Sequence, residues 1–237
     1  MGILGIETAT AVCAAAVVQG SRVLAEELVE ERYVHAEQLL PHIDAVLRRT
    51  GRSVSDLDAF AVSIGPGSFT GLRIGLSVTK GLAAVSGKPI VAVPTLTALA
   101  GRVVDPRPGD SGAAKNILAA IDARRDEVYC QLFEVRDGSV IPVWEPRDMT
   151  VTELIRILGT SPVIVTGDGR SKVLAAAREA DAERATMLIP AHPDQAGCSA
   201  GAVALIGERM LAEGAIADTA LLEPMYIKEF FLVRRKK

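Results

Sequence analysis

Two acids stand where this sequence could do chemistry. Glu7 closes the apolar run Gly2–Glu7 and Asp122 closes the run Ile117–Asp122. A carboxylate at the end of a strand can hold a metal ion through water, so both are weak candidates for binding a metal-bound nucleotide. Between them lies SIGPGSFTGLRIGLSVTKGLAAV, from Ser63 to Val85: an apolar strand, a glycine-rich turn and a helix start. Free backbone N–H groups at such a start favour an anion. The details oppose it. Gly65, Gly67 and Gly71 are spaced G-x-G-x-x-x-G, and no Gly-Lys-Ser/Thr follows, so neither the P-loop nor the dinucleotide fingerprint is present. Glycines four apart on a helix suit close packing instead.

Other chemistries fare worse. The histidines are His35, His42 and His192. The first two, seven apart, would stand about 10.5 Å apart along a helix, too far for one ion. Ser68 lies outside a G-x-S-x-G elbow and has no base nearby in sequence. Cys13, Cys130 and Cys198 show no C-x-x-C spacing and read as small buried residues. Glu37, Asp44 and Asp168 read as solvated surface charges. No metal ligand set and no cofactor is expected.

The formal charge of −3 and an aromatic content of 4% disfavour a broad basic face with stacked bases, so any RNA is held mainly by something else. Apolar runs break well short of the roughly 18 residues that span a bilayer, and the N-terminus lacks a signal-peptide pattern, so the cytoplasm is expected and no membrane contact.

These residues need a frame. Gly2–Glu7, Cys13–Val18 and Val23–Val29 read as three antiparallel strands, the last two turning at Gln19-Gly20-Ser21. A helix follows over about Val34–Arg49, with a kink expected at Pro41. Next come the strand before Gly65, the helix Phe69–Val85, the strand Pro89–Val93 and a helix over Thr95–Val104. After a Pro- and Gly-rich stretch at 105–113 the pattern restarts. A strand ends at Asp122, and Val128–Val135 and Ser139–Trp144 form a hairpin around Asp137-Gly138. A helix over Val151–Leu158, a strand Val163–Thr166 and a helix over Ser171–Ala180 follow. Ala200–Glu213 is a final helix, and Met225–Val233 a closing strand or tail.

Two such βββαβα units outline an α/β fold of the actin-like ATPase and RNase-H-like (ASKHA) kind, divided into 1–104 and 105–237. In kinases and ATPases of that architecture, glycine-bearing turns after the first strand of each half hold phosphates. Here those turns are Glu7-Thr8-Ala9-Thr10 and Asp122-Ala123-Arg124-Arg125, which hold no glycine, so close approach of backbone to a phosphate is hindered at both.

The segments Ile3–Thr10, His35–Pro41, Gly65–Gly75, Ala119–Arg124 with Glu127-Val128-Tyr129, and Pro224–Ile227 resemble the TsaB family, also called YeaZ, over nearly the whole chain. The resemblance implies a non-catalytic dimerisation subunit of the bacterial machinery that makes threonylcarbamoyladenosine in tRNA, beside the anticodon. The family's catalytic paralogue, TsaD, carries a histidine-rich metal motif after the strand that follows the glycine-marked helix. Here Ile90–Val93 is followed by Pro94-Thr95-Leu96-Thr97-Ala98-Leu99, without histidine. Glu7 departs from the family, which more often has Asp there.

The implied partners are TsaD, the ATPase subunit TsaE, and tRNA through the complex, with a homodimer when the chain is isolated. The implied contact is a bundle of the first two helices. Gly71 and Gly75 would let backbones approach, and Leu39, Ile43, Val46, Leu72 and Leu82 would supply apolar area. Arg234, Arg235, Lys236 and Lys237 are expected to touch tRNA phosphates. The alternatives are a kinase- or ATPase-like enzyme using Glu7 and Asp122 with magnesium, and, behind it, a metalloprotease.

Overall fold

The computed structural model describes residues 1–104 and 116–227. The tail arginines and lysines 234–237 and most of the expected closing strand lie outside the described residues, and 225–227 form no strand.

The first half opens with β1 (Gly2–Glu7), β2 (Val12–Gln19) and β3 (Arg22–Glu30), antiparallel in that order. Gly20 and Ser21 both take positive φ, 57° and 60°, between the paired residues Gln19 and Arg22. A two-residue turn of that hand matches the twist of its strands. Then come α1 (His35–Thr50), β4 (Ala59–Ser63), α2 (Phe69–Ser86), β5 (Ile90–Val93) and α3 (Thr95–Val103). The sheet order is β3-β2-β1-β4-β5, with β4 parallel to β1 and β5. Helix α1 runs unbroken through Pro41 and stops at Gly51 in the left-handed region. Pro41 is exposed, so water can meet the carbonyl left without its N–H partner.

The second half repeats the plan. It holds β6 (Asn116–Asp122), β7 (Glu127–Arg136), β8 (Ser139–Pro142), β9 (Arg147–Thr150), α4 (Val151–Ile157), β10 (Val163–Thr166), α5 (Arg170–Ala180), α6 (Ala182–Met187) and β11 (Leu188–Pro190). Its order is β11-β10-β6-β7-β8, with β9 also on β7, and Asp137-Gly138 repeats the two-residue turn. Two mixed sheets built this way are the ASKHA fold. The short strands β9 and β11 and helix α6 were not expected from the sequence.

Helix α7 (Ala200–Ala212) lies in the sequence range 105–237. It packs on the first sheet, where Val203, Ala204 and Ile206 share a core with Ile3, Ala59, Ala61 and Val91. Gly5 makes this possible: a Cβ there would stand 2.2 Å from the Ala200 carbonyl oxygen, so any larger residue would lift the helix off β1. Another core joins the halves, with Ala14, Ala16, Leu96 and Leu99 against Ile117, Ala119, Ile121 and Phe133. The three cysteines are free and buried, as their spacing suggests.

Candidate functional site

Glu7, at the end of β1, is fully buried. Its Oε1 accepts from Ala9 N at 2.5 Å, while Oε2 meets no hydrogen-bond partner among the described residues. Burial pushes its carboxyl up to about 7, against the opposing bonds from Ala9, Ser63 and Thr8.

Asp122, at the end of β6, is already occupied. Lys172 Nζ donates to its Oδ1 at 2.6 Å and to the Glu127 carbonyl at 3.2 Å, and Arg124 N donates to the same Oδ1 at 2.7 Å. Burial works to raise the Asp122 pKa, but the Lys172 ammonium and the Arg124 amide outweigh it and hold the carboxyl below its usual range. A tethered cation thus stands where a metal-bound phosphate would need the acid free. Asp168 proves to be more than a surface charge: though solvent-accessible, its Oδ1 accepts from Asp122 N at 2.9 Å. Of the histidines, His35 pairs with the Thr10 carbonyl at 3.0 Å, and among the described residues no three His, Cys, Asp or Glu side chains gather as a metal site requires.

The glycines at and just before the start of α2 serve the chain itself. A Cβ at Gly71 would stand 2.1 Å from the Thr8 carbonyl oxygen, one at Gly75 2.2 Å from Thr8 Oγ1, and one at Gly67 2.2 Å from the Ala9 carbonyl oxygen. The stripe is therefore a notch that receives the turn after β1. Ser68 caps the helix by accepting from Gly71 N at 3.2 Å, and Ser68 N donates to the Ala9 carbonyl at 2.6 Å, which ties the helix start to the same turn. Gly71 and Gly75, expected to let a partner's backbone approach, have their Cα hydrogens turned toward Thr8 of the chain itself.

The apolar residues expected at that interface differ in burial. Leu39, Ile43, Val46 and Leu72 are buried, the first three in a core with β1, β2 and β4, and Leu82 packs partly buried against it. The four buried side chains face inward because α1 and α2 must cover their own sheet, while Leu82, like Ile74 and Val78, packs on that core only in part.

What the two helices leave outward is a groove of about 500 Å³ lined by Ala36 of α1 and by Phe69, Thr70, Arg73, Ile74, Ser77 and Val78 of α2. Leu40 and Val85 on the same helices are 55% and 83% exposed. Sequence reasoning missed these residues. The signal was there: α2 carries apolar side chains on more than one face, more than a sheet-covering helix needs.

A family model described as TsaD, tRNA N6-adenosine threonylcarbamoyltransferase, matches residues 27–162. The tRNA threonylcarbamoyladenosine biosynthesis protein TsaB of Escherichia coli (strain K12) is 39% identical over 130 residues, which are 54% of this chain and 53% of that protein. The protein of the same name from Bacillus subtilis (strain 168) is 30% identical over 175 residues, 72% of each chain. The match thus spans about half the length of the Escherichia coli relative and 72% of the Bacillus subtilis one. The solved structure of YeaZ from Pseudomonas aeruginosa aligns with a TM-score of 0.75 at 26% identity, over 95% of this chain and 99% of that one. The chain belongs to the TsaB (YeaZ) family.

Proposed function

We propose that this chain is a non-catalytic subunit in tRNA threonylcarbamoyladenosine biosynthesis, working in the cytoplasm. It binds the paralogous transferase TsaD and supports threonylcarbamoyl transfer to the adenosine beside the anticodon. The observation that carries this reading is the contrast between the two places where an ASKHA protein can act. The phosphate turns are engaged by the chain's own atoms, Thr8 in the α2 notch and Lys172 on Asp122, while the face of α1 and α2 offers an open apolar groove.

Its apolar members are Ala36, Phe69, Ile74 and Val78, and Leu40 and Val85 are exposed on the same two helices. Burying one such large apolar side chain is worth roughly 1.5–3 kcal/mol, so a few suffice to anchor a helix pair from a partner. With TsaD absent, the same face pairs with a second copy. The ATPase subunit TsaE and the tRNA join through the assembled complex, the tRNA aided by Arg234, Arg235, Lys236 and Lys237.

Reconstitution tests the proposal. Purified TsaD, TsaE and tRNA are assayed for threonylcarbamoyl transfer with and without this chain, and this chain is assayed alone. Transfer is expected only when the chain is added to the others. Equal transfer without it overturns the reading, as does turnover by the chain alone.

A further inference from the structure

The groove is lined in part by a guanidinium that the fold has oriented and that has no counter-ion among the described residues. Arg73 lies over the ring of Phe69, with Cζ 3.8 Å from its centroid. Its Nε donates to the Tyr226 hydroxyl at 3.0 Å. Tyr226 itself stacks on Phe69, centroids 5.3 Å apart and planes at 29°. The segment that carries Tyr226 is tied down next door, where Met225 N donates to the Ile64 carbonyl at 2.6 Å. Residues separated by 153 positions in sequence thus hold one planar cation in place.

Among the described residues, no carboxylate lies within ion-pair distance of Arg73. The stack covers one face of the guanidinium and the tyrosine takes Nε, so the two terminal nitrogens remain as a parallel pair of donors. That pair matches a carboxylate in bidentate geometry. Because Arg73 is already fixed, little side-chain entropy is left to lose on pairing.

We infer that Arg73, oriented by Phe69 and Tyr226, is the polar anchor of the groove and takes a carboxylate from the docking protein. The surroundings favour a protein over a nucleic-acid phosphate. Ala36, Phe69, Ile74 and Val78 continue the groove as an apolar surface, which suits side chains and would leave a phosphate backbone against hydrocarbon. The C-terminal segment is then part of the docking surface: Tyr226 is a positioning residue, and Arg73 makes the contact. This inference rests on the docking reading above and names the chemistry of the partner's anchor.

The test measures binding of full-length variants to purified TsaD by calorimetry and stopped-flow, with thermal melts as the folding control. Arg73→Ala and Arg73→Lys are expected to weaken binding about tenfold or more, since lysine lacks the planar fork. Tyr226→Phe keeps the stack and loses only the hydroxyl, so it should weaken binding by a smaller factor and leave the melting temperature unchanged. The association rate of Arg73→Ala should fall less steeply with salt than that of the wild type. Ile74→Asp serves as the separate probe of the groove. If Ile74→Asp abolishes binding while both Arg73 variants bind as wild type, the anchor is refuted and the docking reading stands. If Ile74→Asp binds as wild type, the docking reading itself fails. If the Arg73 variants bind TsaD normally but the assembled complex loses tRNA, the anion is a phosphate and the inference is overturned.

Discussion

The Thr8 hydroxyl sits where a side chain at Gly75 would begin: a Cβ placed there lies 2.2 Å from Thr8 Oγ1. At Gly71 the obstacle is the Thr8 carbonyl oxygen, at 2.1 Å. The two sites respond differently to the same substitution. Gly71→Ala and Gly75→Ala each overpack the notch and should destabilise by about 1–3 kcal/mol, more than the gain of roughly 1 kcal/mol in helix propensity. Thr8→Ala removes Oγ1 but leaves the carbonyl, so it should rescue most of the loss in Gly75→Ala and little of that in Gly71→Ala. Urea denaturation of the two double-mutant cycles measures this. Equal coupling in both cycles would mean that the notch does not work through Thr8.

Glu7 predicts a pH dependence. Its carboxyl is raised by burial from 4.5 to about 7, so the folded chain binds this proton more tightly than the unfolded chain. The sign follows: the contribution to stability is full below pH 4.5 and is lost as pH rises to 7, a total of about 3 kcal/mol. Glu7→Gln copies the protonated form and can still accept from Ala9 N. Its stability should match the wild type near pH 4.5 and exceed it at pH 8, by up to that amount. Chemical denaturation across this range gives the comparison, and parallel profiles for the two proteins would sink the argument.

Local rules were enough to read some elements from sequence. Gly20-Ser21 and Asp137-Gly138 signal tight turns because few residues tolerate positive φ at both positions. The helix expected over Phe69–Val85 runs over Phe69–Ser86, with Ser68 and Gly87 as its caps. The remainder depends on what meets in space. A glycine stripe announces that something comes close, but nothing in residues 67–75 says that Thr8 is what arrives. The inward faces of Leu39, Ile43 and Val46 could not be separated from an outward docking stripe, because helical spacing gives a face and not its neighbour. Strands β9 and β11 are three or four residues long and exist by pairing with β7 and β10. Helix α7 gives no sign in its own sequence that it returns to the first sheet.

Burial divides the residues of α1 and α2 into two groups that mutation should separate. Leu39→Ala opens a cavity in a core where Leu39 is 1% exposed, and should cost about 2–5 kcal/mol without changing association of the protein that remains folded. Leu40→Asp and Val85→Asp alter side chains that are 55% and 83% exposed, and should change stability by no more than about 0.5 kcal/mol while weakening self-association. Sedimentation and thermal melts on the same samples read both effects. Self-association that survives in the double variant Leu40→Asp/Val85→Asp would move the interface elsewhere.

The Lys172–Asp122 pair bears on whether the second turn could ever hold a metal-bound phosphate. The pair is part-exposed, 23% and 42% for the two side chains, so screening by water limits its worth to about 1 kcal/mol at most. Asp122 has its pKa depressed in the fold, so the pair's contribution is present above the unfolded carboxylate pKa and is lost as pH falls through the folded one. Lys172→Met should therefore lower stability slightly at pH 7, converge with the wild type in strong acid, and let the Asp122 resonance titrate nearer the ordinary carboxylate range. It should not create a site for magnesium nucleotide, because the other turn stays in the α2 notch, and Arg124 and Arg125 stand at φ 74° and 47° where a phosphate turn would use glycine. Calorimetric titration of Lys172→Met with magnesium ATP is the check. Saturable binding in the micromolar range would show that Lys172 alone keeps the cleft from acting as a nucleotide site, and that the notch does not.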